Sequence, residues 1–218
     1  MSSLALMRWL EASPQRYDAG MNALTFGRVA RLHTAAVAAA VRSQGDRVLE
    51  IGCGTGTVTA KLVQQGARVV AIEQSPEMLE VAKARVVGAD VEWREQTAAE
   101  IDKLPAEAFD AVILSLCLSD MSSSERRFVL DQSVARIGKE GVLVIADEVN
   151  APHGWRRGLQ LLWRGPQAAL AWLLVGSVSR PLPDIGSELH EAKLTIVREE
   201  RWMFGTLGLF VACRSDRD

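Results

Sequence analysis

Short apolar runs alternate with amphipathic stretches along most of this chain. The apolar runs predict strands near Arg47–Ile51, Arg68–Glu73, Val91–Arg94, Ala111–Leu116 and Val142–Ala146. Helical spacing predicts helices between these strands, at Thr57–Gln65, Pro76–Val87 and Ser124–Ile137. Such alternation is typical of a parallel sheet that is covered by helices on both faces.

Local signals support two of the helix starts. Ser75 is a suitable N-cap, and Pro76 then occupies the first helical position. Ser122 and Glu125 have the spacing of a capping box. Two late apolar runs, Leu194–Val197 and Leu207–Cys213, suit an antiparallel pair at a sheet edge.

The pattern divides a single domain of 218 residues into four parts. Residues 1–43 form an N-terminal cap, in which Met21–Val41 is alanine-rich and predicted to be a helix across the mouth of a ligand site. The core is 45–150, and 187–218 contain the closing strands. Between them, 151–186 carry four prolines and many apolar residues, which predicts a lid rather than a linker.

The string Val48–Gly56 carries the strongest chemical signal. An apolar strand with an acidic residue runs into three alternating glycines and then into a helix. Such a strand–loop–helix binds either a dinucleotide or S-adenosylmethionine. A dinucleotide site needs its third glycine where this chain has Thr57, so the spacing favours S-adenosylmethionine. Glu73 ends the second strand, where a carboxylate accepts hydrogen bonds from ribose hydroxyls.

These strings resemble the class I S-adenosylmethionine-dependent methyltransferases. The matching blocks are four and lie in the family's order: Val48–Gly56, Val69–Leu79, Ala108–Ile113 and Gly141–Ile145. The resemblance implies an α/β, Rossmann-like, seven-stranded and mostly parallel sheet with an antiparallel last strand, here with an apolar helical lid after strand five. It also implies S-adenosyl-L-methionine as the cofactor.

The start of the chain resembles a narrower group, the ubiquinone and menaquinone C-methyltransferases and their phospholipid N-methyltransferase relatives. The strings that carry this likeness are Arg16–Asn22 and Leu24–Arg28. The group's arginine-asparagine motif after strand four is replaced by Leu118-Ser119-Asp120-Met121, which counts against a quinol acceptor.

Candidate cofactor residues lie at or near the carboxyl ends of the predicted strands, where open α/β sheets bind ligands. They are Glu50, Gly52, Cys53, Gly54, Gly56, Glu73, Gln74, Met78, Gln96, Thr97 and Ser115. Glu50 is expected to orient the loop, and Met78 to pack on the adenine ring. Gln96 stands where the family often has an acid near the adenine amine, and an amide can both donate and accept.

Candidate catalytic residues are Asp147, Glu148, His153 and Tyr17. Asp147 and Glu148 directly follow strand five, where a carboxylate can take a proton from an acceptor or hold a cationic group. The alternative for both is a solvated acidic turn. His153 follows in a loop, and the family likeness places Tyr17 over the cofactor pocket, although packing of the N-terminal helix explains it equally well.

The segment Trp155–Val175 combines three tryptophans with arginines and leucines at helical spacing. Such a helix can lie at a membrane interface, form a lid over an apolar pocket, or pack on the domain or on a partner in a homodimer. A small, apolar acceptor and peripheral membrane contact through 155–175 are the resulting hypotheses.

Composition narrows the function classes. A formal net charge of −2 argues against a nucleic-acid partner, as does the missing Asn/Asp-Pro-Pro-Tyr string after strand four. Three unpaired cysteines and the absence of an evident signal peptide favour a cytoplasmic protein. The three histidines are scattered, so no metal site is predicted. Two alternatives to a methyltransferase stay open: a non-catalytic binding or membrane-associated module, and an NAD(P)-dependent oxidoreductase.

Overall fold

The structure is a computed structural model, and it describes Thr25, residues 27–150 and residues 181–215. Tyr17, His153 and Trp155–Val175 lie outside the described residues, as does most of the predicted lid.

The described strands form one sheet of seven, in the order β3-β2-β1-β4-β5-β7-β6. The strands are β1 (Arg47–Ile51), β2 (Arg68–Glu73), β3 (Val91–Glu95), β4 (Phe109–Ser115), β5 (Ile137–Glu148), β6 (Leu194–Trp202) and β7 (Leu207–Arg214). Strands β1 to β5 pair in parallel, whereas β7 runs antiparallel to both β5 and β6. The predicted fold class, with its antiparallel last strand, is confirmed.

Helices cover both faces of this sheet. They are α1 (Arg28–Ala40), α2 (Thr57–Gln64), α3 (Pro76–Arg85), α4 (Ser123–Arg136) and α5 (Ile185–Glu191). Short 3₁₀ helices span Ala98–Lys103, Leu118–Asp120 and Met203–Gly205. The predicted caps at Ser75 and Ser122 are confirmed: Ser75 accepts from the N–H of Met78, and Ser122 forms a capping box with Glu125.

Successive residues of each central strand point to opposite faces, and this alternation builds two cores. One contains Leu49, Leu114 and Ile145 with side chains of α4 and α5. The other contains Val48, Ile113 and Val144 with side chains of α1, α2 and α3. Strands that are buried on both faces read as continuous apolar runs, which is why the sequence located them well.

Two strands, β5 and β6, extend several residues beyond their predicted bounds. β5 begins at Ile137, directly after α4, and therefore precedes the predicted start at Val142. β6 continues past Val197 to Trp202 through a charged stretch in which Arg198 pairs with Glu200 and Arg201 with Glu199. β6 is one of the two edge strands of the described sheet, and charged residues on an edge strand are tolerated and block further strand pairing.

The described part of the predicted cap packs on a face of the sheet. Leu32, Ala36 and Val37 of α1 are buried among residues of β1, β4 and β5. The helix therefore contributes to the core, and α5, which the sequence did not predict, does the same on the opposite face through Ile185 and Leu189. Among the described residues, no helix has the length and apolar character needed to cross a membrane.

Candidate cofactor and acceptor site

The glycine loop joins β1 to α2 at the carboxyl edge of the sheet. Gly52, Gly54 and Gly56 all have left-handed backbone, with φ of 73°, 53° and 74°. Residues with a Cβ seldom adopt such φ values, so the loop requires glycine at all three positions. The surroundings of the three glycines nevertheless differ, and so do their roles.

Gly54 faces open space, because a Cβ built on it would meet no atom within 4 Å. Gly56 is packed against α3: a Cβ there would stand 2.8 Å from the Cβ of Ala82. At Gly52 the neighbour is Cys117, whose Cβ would be 3.1 Å away. Of the three, only Gly54 offers free backbone surface for a ligand to approach, whereas Gly56 permits close helix packing.

Glu73 connects the end of β2 to this loop. One carboxylate oxygen accepts from the backbone N–H of Gly54 at 2.9 Å. The other accepts from the N–H groups of Gln74 and Ser75 at 2.9 and 3.0 Å. A half-buried carboxylate held by three backbone donors has a fixed orientation at the position where the sequence predicted a ribose contact.

Glu50 lies beneath the loop and is 1% exposed. Its carboxylate accepts from the hydroxyl of Thr59 on α2 at 2.6 Å. Burial, helped by the nearby Glu73 carboxylate, raises the pKa of Glu50 to about 8 despite the Thr59 hydrogen bond. Glu50 thus ties β1 to α2 from below the loop.

A clamp that the sequence did not predict holds the loop from the side. Arg85, the last residue of α3, donates through Nη1 to the hydroxyl of Thr55 at 3.0 Å and also to the hydroxyl of Thr57. The two hydroxyls are 3.3 Å apart. Together with the contact between Gly56 and Ala82, this clamp fixes the glycine loop to α3 at two points.

The predicted adenine-side residues lie around the ends of β2 and β3. Met78 is buried, and Gln74 is exposed at the start of α3. The side-chain amide nitrogen of Gln96 donates to the carbonyl oxygen of Glu100 at 2.7 Å. The amide oxygen of Gln96 therefore points away from Glu100. Thr97 is exposed and serves as the N-cap of the 3₁₀ helix, in a capping box with Glu100.

The end of β4 closes the other side of the loop. The hydroxyl of Ser115 is buried without a hydrogen-bond partner in the described part of the chain. Leu116 has left-handed backbone with φ of 53°, a strained conformation for a leucine. This turn directs the Sγ of Cys117 to 3.4 Å from the carbonyl oxygen of Ile51, so Cys117 packs against the start of the glycine loop.

Cys53 and Cys117 are both shielded from reaction. Cys53 is buried, and burial with the nearby carboxylates of Glu50 and Glu73 raises the pKa of its thiol far above the ordinary range. Burial likewise raises the pKa of the Cys117 thiol, and the Asp147 carboxylate adds to the effect. Both side chains therefore act as packing groups rather than nucleophiles.

Asp147 is fully buried at the end of β5. One oxygen accepts from the N–H groups of Leu118 and Ser119 at 2.9 and 3.2 Å, and the other from the N–H of Glu148 at 2.7 Å. The sequence placed this carboxylate against the acceptor. Because its oxygens point into the turn after β4, direct contact with an acceptor does not fit this geometry.

Glu148 is half-buried and lies opposite Leu207 of β7. The N–H of the next residue, Val149, donates to the carbonyl oxygen of Thr206 at 2.8 Å. The β6–β7 hairpin tip therefore sits beside the end of β5. At this tip Phe204 is 65% exposed, and both Met203 and Phe204 have left-handed backbone, with φ of 51° and 59°.

The structure therefore gathers most predicted site residues at one edge of the sheet, while Tyr17 and His153 lie outside the described residues. Sequence reasoning missed Arg85, Ala82, Cys117 and Phe204. No motif marks them: Arg85, Ala82 and Cys117 act through contacts with residues distant in the chain, and the exposure and left-handed backbone of Phe204 do not follow from local sequence.

Comparisons with known proteins agree with this geometry. Residues 48–141 match the family model described as a methyltransferase domain. An uncharacterized methyltransferase of Synechocystis sp. is 29% identical over 198 residues, which cover 87% of this chain and 85% of that protein. A demethylmenaquinone methyltransferase of Clavibacter sepedonicus is 32% identical over 166 residues, which cover 75% of this chain and 66% of that protein.

Among solved structures, the N-methyltransferase NodS of Bradyrhizobium japonicum, determined with S-adenosylhomocysteine, has the same fold. It superposes with a TM-score of 0.65 at 20% identity and 88% coverage of both chains. Together with the sheet order and the glycine loop, these matches establish that the chain belongs to the class I S-adenosylmethionine-dependent methyltransferases, enzymes that take their methyl group from S-adenosylmethionine.

Proposed function

We propose that this protein transfers a methyl group from S-adenosylmethionine to a small, apolar acceptor by direct in-line displacement. A quinol-like ring, a lipid head group or another apolar metabolite is the acceptor class. The observation that carries the proposal is the pairing of open backbone at Gly54 with the fixed carboxylate of Glu73, 2.9 Å from the Gly54 N–H.

These groups fit the cofactor. The space above Gly54 admits a ligand close to the main chain. Oε2 of Glu73 accepts one backbone N–H bond and has a lone pair left for a ribose hydroxyl, whereas Oε1 already accepts two. Met78 then packs on the adenine ring, and the amide oxygen of Gln96 accepts from the adenine amine. Gln74, Cys53 and Ser115 complete the lining, with the Ser115 hydroxyl as a donor still to be used.

When bound, the cofactor supplies an electrophilic methyl group carried on a sulfonium sulfur. The protein has to hold the acceptor atom in line with this group and to exclude water; it needs no metal or strong acid for that purpose. Glu148 is the carboxylate placed to take the proton that the acceptor loses, because it ends β5 at the same edge of the sheet as the cofactor loop, while Asp147 is occupied with backbone donors. Tyr17 and His153 remain further candidates from the sequence.

The apolar character of the acceptor is supported by the hairpin tip. An aromatic side chain that is 65% exposed and held in a strained conformation costs stability, and strained residues cluster where ligands bind. Phe204 lies on the same edge as Glu148, so an apolar acceptor would contact both.

The names of two similar proteins are compatible with this acceptor class. One acts, by its name, on demethylmenaquinone, an apolar ring compound, and the structural neighbour NodS is an N-methyltransferase. The chain spans 66% of the former's length, and the absent arginine-asparagine motif distinguishes it further, so the acceptor panel must extend beyond quinols.

The test has two stages. Isothermal titration with S-adenosylhomocysteine first measures cofactor affinity, and a value in the micromolar range is expected. Transfer of labelled methyl from S-adenosylmethionine is then assayed with a reduced naphthoquinone, phosphatidylethanolamine vesicles, and apolar phenols and amines. Saturable transfer to one class supports the proposal; no saturable binding below millimolar would overturn it.

Other outcomes favour the alternative functions. Tight cofactor binding without turnover across the panel indicates a binding module. A thermal shift with NAD(P) but none with S-adenosylhomocysteine indicates an oxidoreductase. Vesicle association that is lost when 155–175 are deleted, with S-adenosylhomocysteine affinity retained, would establish the peripheral membrane contact predicted for that segment.

A further inference from the structure

The edge strand β6 contains a β-bulge that changes the direction of its last side chains. Ile196 pairs with Ala212 of β7, and Arg198 pairs with Val211, which directly precedes Ala212. Val197 is therefore an extra residue on β6, and it is 59% exposed. Such a bulge shifts the alternation of side chains by one position, so residues beyond it point to the face of the sheet opposite to the one that unbroken alternation would give.

The effect of this shift is visible in the two cores. Leu194 and Ile196, before the bulge, pack in the core that α4 and α5 cover. Unbroken alternation along β6 would place Trp202 in that same core. Trp202 instead packs against the opposite core, which α1, α2 and α3 cover, as do Met203 and Leu116. The bulge thus turns the indole of Trp202 to the α1 side of the sheet.

Glu148 lies in the same row of the sheet as Trp202. Glu148 of β5 is opposite Leu207 of β7, and Leu207 is opposite Trp202 of β6. Residues that lie opposite each other on neighbouring strands point to the same face. Because neighbouring strands are about 4.8 Å apart, Glu148 and Trp202 are separated by about 10 Å. A small ring compound at this edge of the sheet would therefore reach both side chains.

The end of β6 is held in a defined position. Arg201 donates through Nη1 to the carbonyl oxygens of Asn150, just after β5, and of Gly205, in the turn after β6, at 3.1 and 3.4 Å. Strand β6 ends at Trp202, and the next residue, Met203, has left-handed backbone. The Trp202 side chain is half-buried, so the core fixes one part of the indole while another part remains accessible. A rigid indole loses little conformational entropy when a ligand contacts it.

We propose that Trp202 is a specificity-determining residue of the acceptor site, and that its indole is the platform on which a planar ring of the acceptor stacks. This inference rests on the proposed function and narrows its acceptor class, because it selects a ring compound over a lipid head group or an aliphatic metabolite. Aromatic rings prefer aromatic partners, and an offset stack contributes more than the area that it buries. Leu116, in its strained conformation at the end of β4, and Met203 supply the apolar surroundings.

Direct binding tests this platform without turnover. The protein is saturated with S-adenosylhomocysteine and titrated with 1-naphthol or with decahydro-1-naphthol, which has the same carbon skeleton but is not flat. The indole N–H signals are followed by NMR, and the signal of Trp202 is identified by its absence in Trp202→Phe. We expect 1-naphthol to shift the Trp202 signal and to bind about three- to tenfold more tightly than the saturated alcohol.

Two substitutions of Trp202 separate stacking from packing. Trp202→Phe keeps an aromatic face and should retain the preference for 1-naphthol, whereas Trp202→Leu keeps an apolar side chain and should bind both alcohols equally. S-adenosylhomocysteine affinity should be unchanged in both variants, because β1, which leads into the glycine loop, is the fourth strand from β6.

Trp93→Phe is the matched control. Trp93 is another half-buried tryptophan that packs on the same core as Trp202, but it belongs to β3 at the opposite edge of the described sheet. Its substitution removes a tryptophan far from the proposed platform, so the preference for 1-naphthol should equal that of the wild type.

Three results would overturn the platform: a preference for 1-naphthol that survives in Trp202→Leu, binding of 1-naphthol that leaves the Trp202 signal unchanged, and no binding of either alcohol to the cofactor-loaded protein. Failure of S-adenosylhomocysteine itself to bind would instead refute the proposed function. The two alcohols are then titrated into the free protein, where the Trp202 signal still decides whether the indole binds a planar ring.

Discussion

The carboxylate of Glu73 accepts a hydrogen bond from the backbone N–H of Gly54 at 2.9 Å, and these two residues are 19 positions apart in the chain. The bond links the ends of β1 and β2, so it sets the geometry of the cofactor loop before any ligand arrives. A site that is organised in advance loses less entropy on binding.

Replacement of Glu73 by glutamine should therefore weaken binding of S-adenosylhomocysteine by about 1–3 kcal/mol, the range for losing hydrogen bonds to a charged group. Isothermal titration measures this loss. Glu80→Gln is a matched control, because Glu80 is an exposed acid of α3 whose only role in the described structure is an ion pair with Lys83. Wild-type affinity in Glu73→Gln would refute the assignment.

Two glycines of the same loop should respond differently to substitution. In Gly54→Ala the new Cβ enters open space, so the protein should stay folded but lose cofactor affinity at least tenfold, and Gly54→Val should abolish binding. In Gly56→Ala the Cβ would stand 2.8 Å from that of Ala82, so the free energy of unfolding should fall by about 1–3 kcal/mol, as for other overpacked sites.

The double variant Gly56→Ala, Ala82→Gly tests the contribution of the Ala82 methyl alone, because the Cα of residue 82 would still stand 2.9 Å from the new Cβ. Removing the methyl should recover only a small part of the stability, and glycine within a helix costs about 1 kcal/mol in return. Urea denaturation measures stability, and titration with S-adenosylhomocysteine measures affinity. No recovery in the double variant would mean that the left-handed backbone at Gly56 or the close approach of the α3 main chain, rather than the Ala82 methyl, sets the requirement for glycine.

The role of Arg85 gives a third prediction. Its guanidinium bonds the hydroxyls of Thr55 and Thr57, so Arg85→Ala should loosen the glycine loop and lower cofactor affinity by severalfold. The melting temperature should change little, because exposed polar contacts contribute little to stability. Thr55→Ser with Thr57→Ser keeps both acceptors and should bind normally, whereas Thr55→Val with Thr57→Val should behave like Arg85→Ala.

Lys83→Ala controls for the loss of a basic residue from the same helix, since Lys83 pairs only with exposed Glu80 in the described structure. Its affinity for S-adenosylhomocysteine should equal that of the wild type. Equal affinities in Arg85→Ala and Lys83→Ala would show that the clamp has no effect on the cofactor loop.

The sequence predicted the sheet and the glycine loop because both depend on patterns of neighbouring residues. Runs such as Arg68–Glu73 show burial on both faces, and left-handed backbone calls for glycine at fixed spacing. The clamp could not be found in this way. Arg85 and Thr55 are 30 positions apart, and their contact depends on how α3 packs on the loop. No spacing rule links such pairs.

Asp147 illustrates the same limit at the candidate site. Its position after an apolar run correctly placed it at the carboxyl edge of the sheet, yet sequence cannot tell which way a side chain points at the end of a strand. Side chains along β5 alternate between the two faces of the sheet, and Ile145 points into the core on the α4 side. Asp147 lies two residues further along and therefore points to the same face. Glu148 points the other way and is half-buried.

Glu50 should make stability depend on pH. Its pKa is about 8 in the folded protein and 4.5 in the reference state, so the folded protein binds a proton more tightly than the unfolded chain. The stabilisation is fully present below pH 4.5 and is lost as pH rises through about 8. Glu50→Gln stays neutral at every pH and should escape this loss.

The free energy of unfolding of Glu50→Gln, measured in urea at pH 5 and pH 8, should therefore exceed that of the wild type increasingly with pH. The expected gain at pH 8 is a few kcal/mol, since one pKa unit corresponds to about 1.4 kcal/mol. Asp147 titrates in both proteins and cancels from the comparison. A difference that stays constant between the two pH values would contradict a buried, protonated Glu50.

Phe204 provides the prediction that bears on the acceptor. Left-handed backbone costs a residue with a Cβ about 1–2 kcal/mol, and Phe204 leaves most of its ring in water, so it gains little from burial in return. Phe204→Gly should therefore leave stability unchanged or raise it by about 1 kcal/mol. Activity of Phe204→Gly should fall if the Phe204 ring contacts the acceptor.

We expect Phe204→Gly and Phe204→Ala to raise the acceptor KM at least fivefold, with S-adenosylhomocysteine affinity unchanged, because the hairpin tip lies beside Glu148 rather than at the glycine loop. Val87→Ala is the control, because Val87 is another strongly exposed apolar residue, at 83%, and follows α3. An unchanged KM in both Phe204 variants would remove the hairpin tip from the acceptor site, and the apolar wall would then have to come from other residues at the same edge.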